Sequence, residues 1–285
     1  MLNQRLISGV ILSGLLIAGV VFLHPVMVLI VLLLACGLAM WEFYALLEAG
    51  QLPHFKALGM VCGLVLVAGT WMAMQLPRLE VVRYDVEPFL LFLILTAVIF
   101  RQMVSRKSDR AWGAMAGTLI GILYAGFLFN FLTKLLTAFG DTEGRFLLLY
   151  LVVVVKATDI GAYFIGCEFG RNKLWPKISP AKTWEGGAGG LLAGLVASAL
   201  FYLIGQKGSG TLDFQLYHAL LLAPLLSITG ILGDLVESLF KRAAGVKDSG
   251  TYIKGMGGFL DVLDSLLFTA PVLYIFARLF MDIPS

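Results

Sequence analysis

Five carboxylates in the second half of this chain stand where carboxylates are costly. Asp159, Asp234, Glu237, Asp261 and Asp264 lie in or at the ends of long apolar runs, and a charge within a membrane-crossing segment costs roughly 2.5–3.5 kcal/mol on insertion scales. They alternate with loops rich in Lys, Arg and Gly. Carboxylate oxygens beside phosphate oxygens make a site for Mg²⁺, an ion that takes oxygen ligands and keeps several waters. Lys and Arg would hold the rest of a polyphosphate. Imidazole and thiolate are not in the right places: His24, His54 and His218 lie outside the basic loops of the C-terminal half. Cys36, Cys62 and Cys167 are far apart with no CxxC pairing, and read as small buried hydrophobes. A Ser-His-Asp hydrolase is therefore disfavoured, and the chemistry suggested is phosphoryl or nucleotidyl transfer.

The charged groups fall into clusters. In Lys156-Ala-Thr-Asp159-Ile-Gly161-Ala-Tyr163, Lys156 and Asp159 are three apart, so a helix would let them form a self-neutralising ion pair; the other reading turns Asp159 toward a polar cavity. The stretch Gly170 to Gly187 packs four basic residues, two prolines and two tryptophans into fewer than twenty positions. It reads either as a basic loop with interfacial tryptophans holding anionic headgroups, or as an anion-binding turn. In the turn, the Ser179 and Thr183 hydroxyls, Lys182 and the N–H groups opening the next helix would face a phosphate. The third cluster is the strongest. Asp234, Glu237, Ser238 and Lys241 share one helix face at spacings of 3, 4 and 7, followed by Arg242, Lys247 and Asp248. Beyond a short loop, Asp261 and Asp264 again share a face, and glycines at 255, 257 and 258 would let backbone approach a ligand closely.

The elements that must position these groups are helices in lipid. Of 285 residues, 59% are hydrophobic and 14% charged, against about 25% charged in soluble domains. The apolar residues form runs of roughly 17–22, the length a helix needs to cross a hydrocarbon core of about 30 Å. Helices satisfy their backbone within the segment, and stretches such as Val26 to Leu34 lack the alternation of a membrane barrel. The expectation is an all-α polytopic integral membrane protein with about nine spans, near 6–23, 26–47, 57–76, 89–104, 112–133, 146–166, 187–205, 218–239 and 263–281. The first follows Arg5 without a small-x-small cleavage site and reads as a retained span. Residues 1–285 form one membrane domain, with N-terminal spans over 1–140 and a catalytic half over 146–285.

With the N-terminus inside, 14 Lys and Arg fall in inner segments: Arg5, Lys56, Arg101, Arg106, Lys107, Arg110, Arg171, Lys173, Lys177, Lys182, Lys241, Arg242, Lys247 and Lys254. Only 5 fall outside: Arg78, Arg83, Lys134, Arg145 and Lys207. That bias sets the N-terminus in and the C-terminus out, and puts the acidic clusters at the inner face of an inner (cytoplasmic) membrane.

The chain resembles the phosphatidate cytidylyltransferase (CDP-diacylglycerol synthase) family. Ser238-Leu-Phe-Lys241-Arg242-Ala-Ala-Gly-Val-Lys247-Asp248 matches that family's Ser-x-x-Lys-Arg-x4-Lys-Asp block in full. Ser179-Pro180-Ala-Lys182-Thr183-Trp184-Glu185-Gly186 is similar to its Ser-Pro-x-Lys-Thr-x-x-Gly loop, and Asp159-Ile-Gly161-Ala-Tyr163 to its Asp-x-Gly-Ala-Tyr. The likeness covers roughly 150–270. Lys254, Met256 and Val262 stand where the family usually has Pro, His and Arg. The nucleophile would be a phosphomonoester already largely ionised at neutral pH, its second pKa being near 6, so a missing imidazole removes positioning or charge rather than an obligatory base, and Lys254 supplies part of it.

The resemblance implies CTP and phosphatidate as substrates, CDP-diacylglycerol and pyrophosphate as products, and Mg²⁺ as cofactor. It implies Asp234, Asp261 and Asp264 as metal ligands, and Asp234, Lys241, Arg242, Asp261 and Asp264 as the catalytic set. Asp159, Ser179, Lys182, Thr183, Ser238, Lys247, Asp248, Gly257 and Gly258 would bind substrate. The partners are the two substrates and the bilayer, with no nucleic acid and with a homodimer allowed for. Three rivals stand: a CTP-dependent transferase acting on another lipid phosphate or alcohol, an ion-coupled transporter, and a non-catalytic scaffold descended from the enzyme. A transporter should carry its charges near the midplane with related halves, and these charges gather at one face of one half.

Overall fold

The apolar runs become helices in a computed structural model that describes residues 24–75, 84–105, 110–205, 212–247, 249–250 and 258–281. In chain order they are α1 (Pro25–Ala49), α2 (Lys56–Gln75), α3 (Val86–Ser105), α4 (Ala111–Gly121), a π-helical turn (Ile122–Phe127), α5 (Leu128–Thr137) and α6 (Asp141–Phe169). A two-stranded antiparallel hairpin, β1 (Lys173–Trp175) and β2 (Ser179–Thr183), leads into α7 (Trp184–Gly205), α8 (Leu216–Ala243) and α9 (Leu260–Phe280). Taking α4, the π turn and α5 as one span, eight helices among the described residues are long and apolar enough to cross a membrane. The expected span over 6–23 lies outside the described residues. The chain is a polytopic α-helical membrane protein.

By internal contacts it divides into two compact units. The first comprises 1–137 with 243–262, the second 138–242 with 263–285.

In the first unit, glycines admit one large ring. Tyr44 on α1 is fully buried and donates to the Thr118 carbonyl at 2.9 Å. A Cβ at Gly59 or Gly121 would lie 2.4 or 2.6 Å from that ring, so only glycine lets α2 and α4 close around it. Further along, Glu87 and Lys134 form an ion pair with side chains 16% and 10% exposed. Asn130 ties the pair to α2 by donating to Glu87 Oε1 at 3.1 Å and to Thr70 Oγ1 at 2.9 Å. The π turn immediately before α5 adds a residue to the helical register, which sets the face on which Asn130 and Lys134 emerge.

In the second unit, α6 and α7 run tightly together. A Cβ at Gly161 would meet Ala193 at 2.4 Å, and one at Gly194 would meet Ser227 Oγ at 2.5 Å and Thr158 Oγ1 at 2.6 Å. Small residues let helix backbones approach in lipid, where apolar burial gives no drive between helices. Hydroxyls add the rest: Thr158 to Ser227 at 2.9 Å, and Tyr150 to Ser198 at 2.7 Å, with Ser198 donating to the Ala219 carbonyl at 2.8 Å.

Candidate functional site

Helix α8 carries no Asp, Glu, Lys or Arg before Asp234, and then its last three turns carry Asp234, Glu237, Ser238 and Lys241 on one face. Helix α9 meets it there. A Cβ at Gly233 would lie 2.6 Å from the Asp264 carbonyl and 3.2 Å from Ser265 Cα, so the absent side chain is what allows the two backbones to touch. The close approach sets Asp264 against Asp234 and Glu237, and the three offer one oxygen each within 4.8 Å of one another. Glu237 is fully buried, Asp264 is 5% exposed, and Asp234 is half-buried.

Ammonium groups surround the cluster. Lys241 lies 3.1 Å from Glu237, one turn along the same helix. Lys182 reaches from β2 to Asp234 at 2.9 Å and also donates to the Ile231 carbonyl at 3.0 Å. On α6, Lys156 and Asp159 form the expected three-apart ion pair at 3.2 Å, and Asp159 is close enough to feel the charges of Asp234, Asp264 and Lys182. Four carboxylates thus face three ammoniums, a formal excess of one negative charge.

The donor set fits Mg²⁺. It is all oxygen, it carries surplus negative charge, and octahedral ligands at 2.0–2.1 Å stand about 2.9 Å (cis) to 4.2 Å (trans) apart, within reach of three oxygens spread over 4.8 Å.

The hairpin delivers Lys182 and is itself anchored. Lys173 pairs with Thr183 and Trp175 with Ser179, and the Arg242 side chain donates to the Ile178 carbonyl at the turn, 3.4 Å away. Thr183 is buried and its Oγ1 accepts from the Gly186 N–H at 3.1 Å, capping α7. The Glu185 carboxylate accepts from the backbone of Arg171 and Asn172 at 3.2 Å each and from the Asn172 amide at 2.7 Å. Ser179 is half-buried on β2, whereas Arg242 and Lys247 are exposed. Ser238 donates to Asp234 Oδ1 at 3.4 Å.

Asp261 belongs to the first unit. Its Oδ2 accepts from the Gly258 N–H at 2.6 Å, the Ser249 hydroxyl at 2.8 Å and the Ser249 N–H at 3.4 Å. Of the expected ligands Asp234, Asp261 and Asp264, the structure therefore brings the first and third together, with Glu237 as the third carboxylate of the cluster. Asp261 binds the turn that opens α9. Val262, where the resemblance would have Arg, is buried at 3% exposure. Asp248 and Gly257 lie outside the described residues.

Sequence reasoning passed over one acid. Glu42 on α1 is 2% exposed, and its carboxylate accepts from the N–H groups of Phe259 (2.8 Å) and Leu260 (2.7 Å) and from the Ser249 hydroxyl (3.3 Å). A signal was present, since a carboxylate inside a 25-residue apolar helix, whose other acid, Glu48, lies at its end, needs a reason.

Comparisons with known proteins bear on the whole chain. A family model described as the Cytidylyltransferase family matches residues 3–280. A phosphatidate cytidylyltransferase of Bacillus subtilis (strain 168) is 34% identical over 284 residues, 98% of each chain. One from Staphylococcus aureus (strain COL) is 34% identical over 272 residues, 91% of this chain and 95% of its own. Another, from Staphylococcus haemolyticus (strain JCSC1435), is 39% identical over 186 residues, 65% of each.

Proposed function

Because the chain belongs to the cytidylyltransferase family, we propose that it joins CTP to phosphatidate, forming CDP-diacylglycerol and releasing pyrophosphate. The observation that carries this reading is the meeting of Asp234, Glu237 and Asp264 beside Lys182 and Lys241. A phosphate oxygen of phosphatidate forms the new bond to the α-phosphorus of CTP, the bond from that phosphorus to the β-phosphate oxygen breaks, and pyrophosphate takes the electron pair. Asp234, Glu237 and Asp264 would hold Mg²⁺, which when bound supplies positive charge to the attacking and leaving oxygens.

The remaining roles belong to side chains. Arg242 and Lys247 are exposed and take triphosphate or lipid phosphate oxygens. Lys182 fixes Asp234 through its 2.9 Å contact and holds the hairpin bearing Ser179 beside it, while Lys241 does the same for Glu237. Lys156 keeps Asp159 in place, leaving it to orient substrate. Thr183 contributes by capping α7, and Ser238 by orienting Asp234. Asp248, Gly257 and Gly258 are assigned to substrate binding by the family resemblance alone. In this reading the protein sits in the inner membrane with its site toward the cytoplasm, supported by the 14-to-5 distribution of Lys and Arg. CTP then arrives from water and the two-chain lipid from the bilayer. A homodimer is compatible with the same site.

The test is direct. Purified protein in detergent receives CTP, Mg²⁺ and phosphatidate, and CDP-diacylglycerol is quantified for wild type, Asp234→Asn and Asp261→Asn. Wild type should form product, Asp234→Asn almost none, and Asp261→Asn less than wild type. A silent wild type sinks the reaction; an unimpaired Asp234→Asn sinks the site.

A further inference from the structure

Helix α9 begins on a carboxylate that comes from 218 residues earlier in the chain. The first N–H groups of any helix lack intrahelical partners, and here two side chains share them. Asp261 takes the Gly258 N–H, and Glu42 takes those of Phe259 and Leu260, one on each oxygen. Ser249 lies between the acids, its hydroxyl 2.8 Å from Asp261 Oδ2 and 3.3 Å from Glu42 Oε2. The room for this is made by glycine: a Cβ at Gly258 would lie 2.3 Å from Glu42 Oε2, and one at Gly250 would lie 2.9 Å from Glu42 Oε1. A negative charge at a helix N-terminus is favoured by the macrodipole. Charge-assisted bonds to backbone N–H groups are the strong kind.

The arrangement is more than a cap needs. A local Ser, Thr, Asp or Asn at the N-cap position satisfies a helix start, and Asp261 already reaches back to Gly258. Glu42 instead holds the N–H groups of Phe259 and Leu260 from a distant part of the chain. The first turn it grips carries Asp261, and Asp264 stands one turn further along the same helix. We propose that Glu42 is a positioning residue for the transfer reaction: it locks the first turn of α9, and with that turn Asp261. This rests on the reading given under Proposed function.

The experiment uses the full-length protein with Glu42→Gln, Glu42→Asp and Gly258→Ala. Glutamine keeps the shape but turns an NH₂ group toward a backbone N–H, whereas aspartate keeps the charge on a shorter arm. Three quantities are read: kcat and KM for CTP with phosphatidate; the stoichiometry of Mg²⁺·CTP binding by calorimetry; and amide hydrogen exchange by mass spectrometry. Glu42→Gln should lower kcat by about thirtyfold or more, with KM for CTP within about threefold of wild type and binding stoichiometry unchanged. Exchange at Phe259 and Leu260 should quicken by about tenfold or more, with that of α6 and α7 unchanged. Glu42→Asp should fall between Gln and wild type, and Gly258→Ala should reproduce the kcat loss from the other side of the contact.

Wild-type kcat in Glu42→Gln overturns the proposal, as does unaltered exchange at Phe259 and Leu260. So does a loss of activity that merely follows a falling binding stoichiometry, because that marks a general stabiliser. If wild type makes no CDP-diacylglycerol, the parent reading fails by itself, while the exchange measurement still shows whether Glu42 holds the helix start.

Discussion

The Lys241–Glu237 pair gives the sharpest numerical test of the cluster. The ammonium lies 3.1 Å from the carboxylate, and the two side chains are 13% and 0% exposed. At that distance the attraction is about 5 kcal/mol for an effective dielectric near 20. Lys241→Met removes the charge and keeps much of the stem, leaving Glu237 buried with Asp234 and Asp264 as neighbours. Breaking a buried pair from one side costs about 3–5 kcal/mol. For a chain of this size that is a loss of about 6–10 °C in Tm, at roughly 2 °C per kcal/mol. Glu237→Gln should cost less, about 1–2 kcal/mol, because it relieves crowding among three carboxylates while Lys241 keeps some access to solvent. The double variant should then be hardly less stable than Glu237→Gln, giving a coupling energy of about 3–5 kcal/mol in a double-mutant cycle. Thermal unfolding in detergent reads the stability, and CDP-diacylglycerol formation reads the function. Activity should not recover in the double variant, since Glu237 has lost its carboxylate and the site the cation that fixed it. Lys241→Met within about 2 °C of wild type, or a coupling below about 0.5 kcal/mol, would refute the reasoning.

Further outcomes follow from the same coordinates. Asp264→Asn should lower kcat about a thousandfold, or ~4 kcal/mol on the barrier, and a chelator should impose the same loss on wild type until Mg²⁺ is restored. Gly233→Ala places a methyl 2.6 Å from the Asp264 carbonyl; it should cost about 1–3 kcal/mol of stability and weaken the Mg²⁺ response in titrations of activity. Lys134→Met leaves Glu87 buried in the first unit, so Tm should drop by a margin like that of Lys241→Met while KM for CTP stays unchanged. Cys167 is exposed whereas Cys36 and Cys62 are buried, so a membrane-impermeant maleimide should label Cys167 in inside-out vesicles and not in intact cells; the reverse pattern would invert the topology.

Much of the fold was legible because lipid imposes a blunt rule: the apolar runs near 26–47, 57–76 and 89–104 had no structure open to them but a spanning helix, and each is one. The face shared by Asp234, Glu237, Ser238 and Lys241 was legible for the same reason, since helical spacing alone decides it. Contacts between distant elements were not. Nothing local to Asp261 says that its oxygen turns to Ser249 and Gly258 while Glu237 joins Asp234 and Asp264; that choice is made by Gly233 and the approach of two backbones. The hairpin was also missed, because two prolines in Trp175 to Pro180 read as an irregular loop, yet one sits at the turn and the other in a two-stranded edge where no N–H is required. Thr183 carried its own signal: a threonine three residues before the Gly186 N–H is a helix cap, which competes with any ligand for the same hydroxyl.

The grip of Glu42 on Phe259 and Leu260 has a consequence for anyone who would shorten the gene. Every signature block lies after residue 150, which invites a minimal enzyme built from the C-terminal half alone. Such a fragment would begin its last helix with two bare amides in place of a carboxylate partner, and the stretch 243–262 would have lost the body it packs with. Activity should return only when the missing half is supplied, either fused or co-expressed as a separate polypeptide.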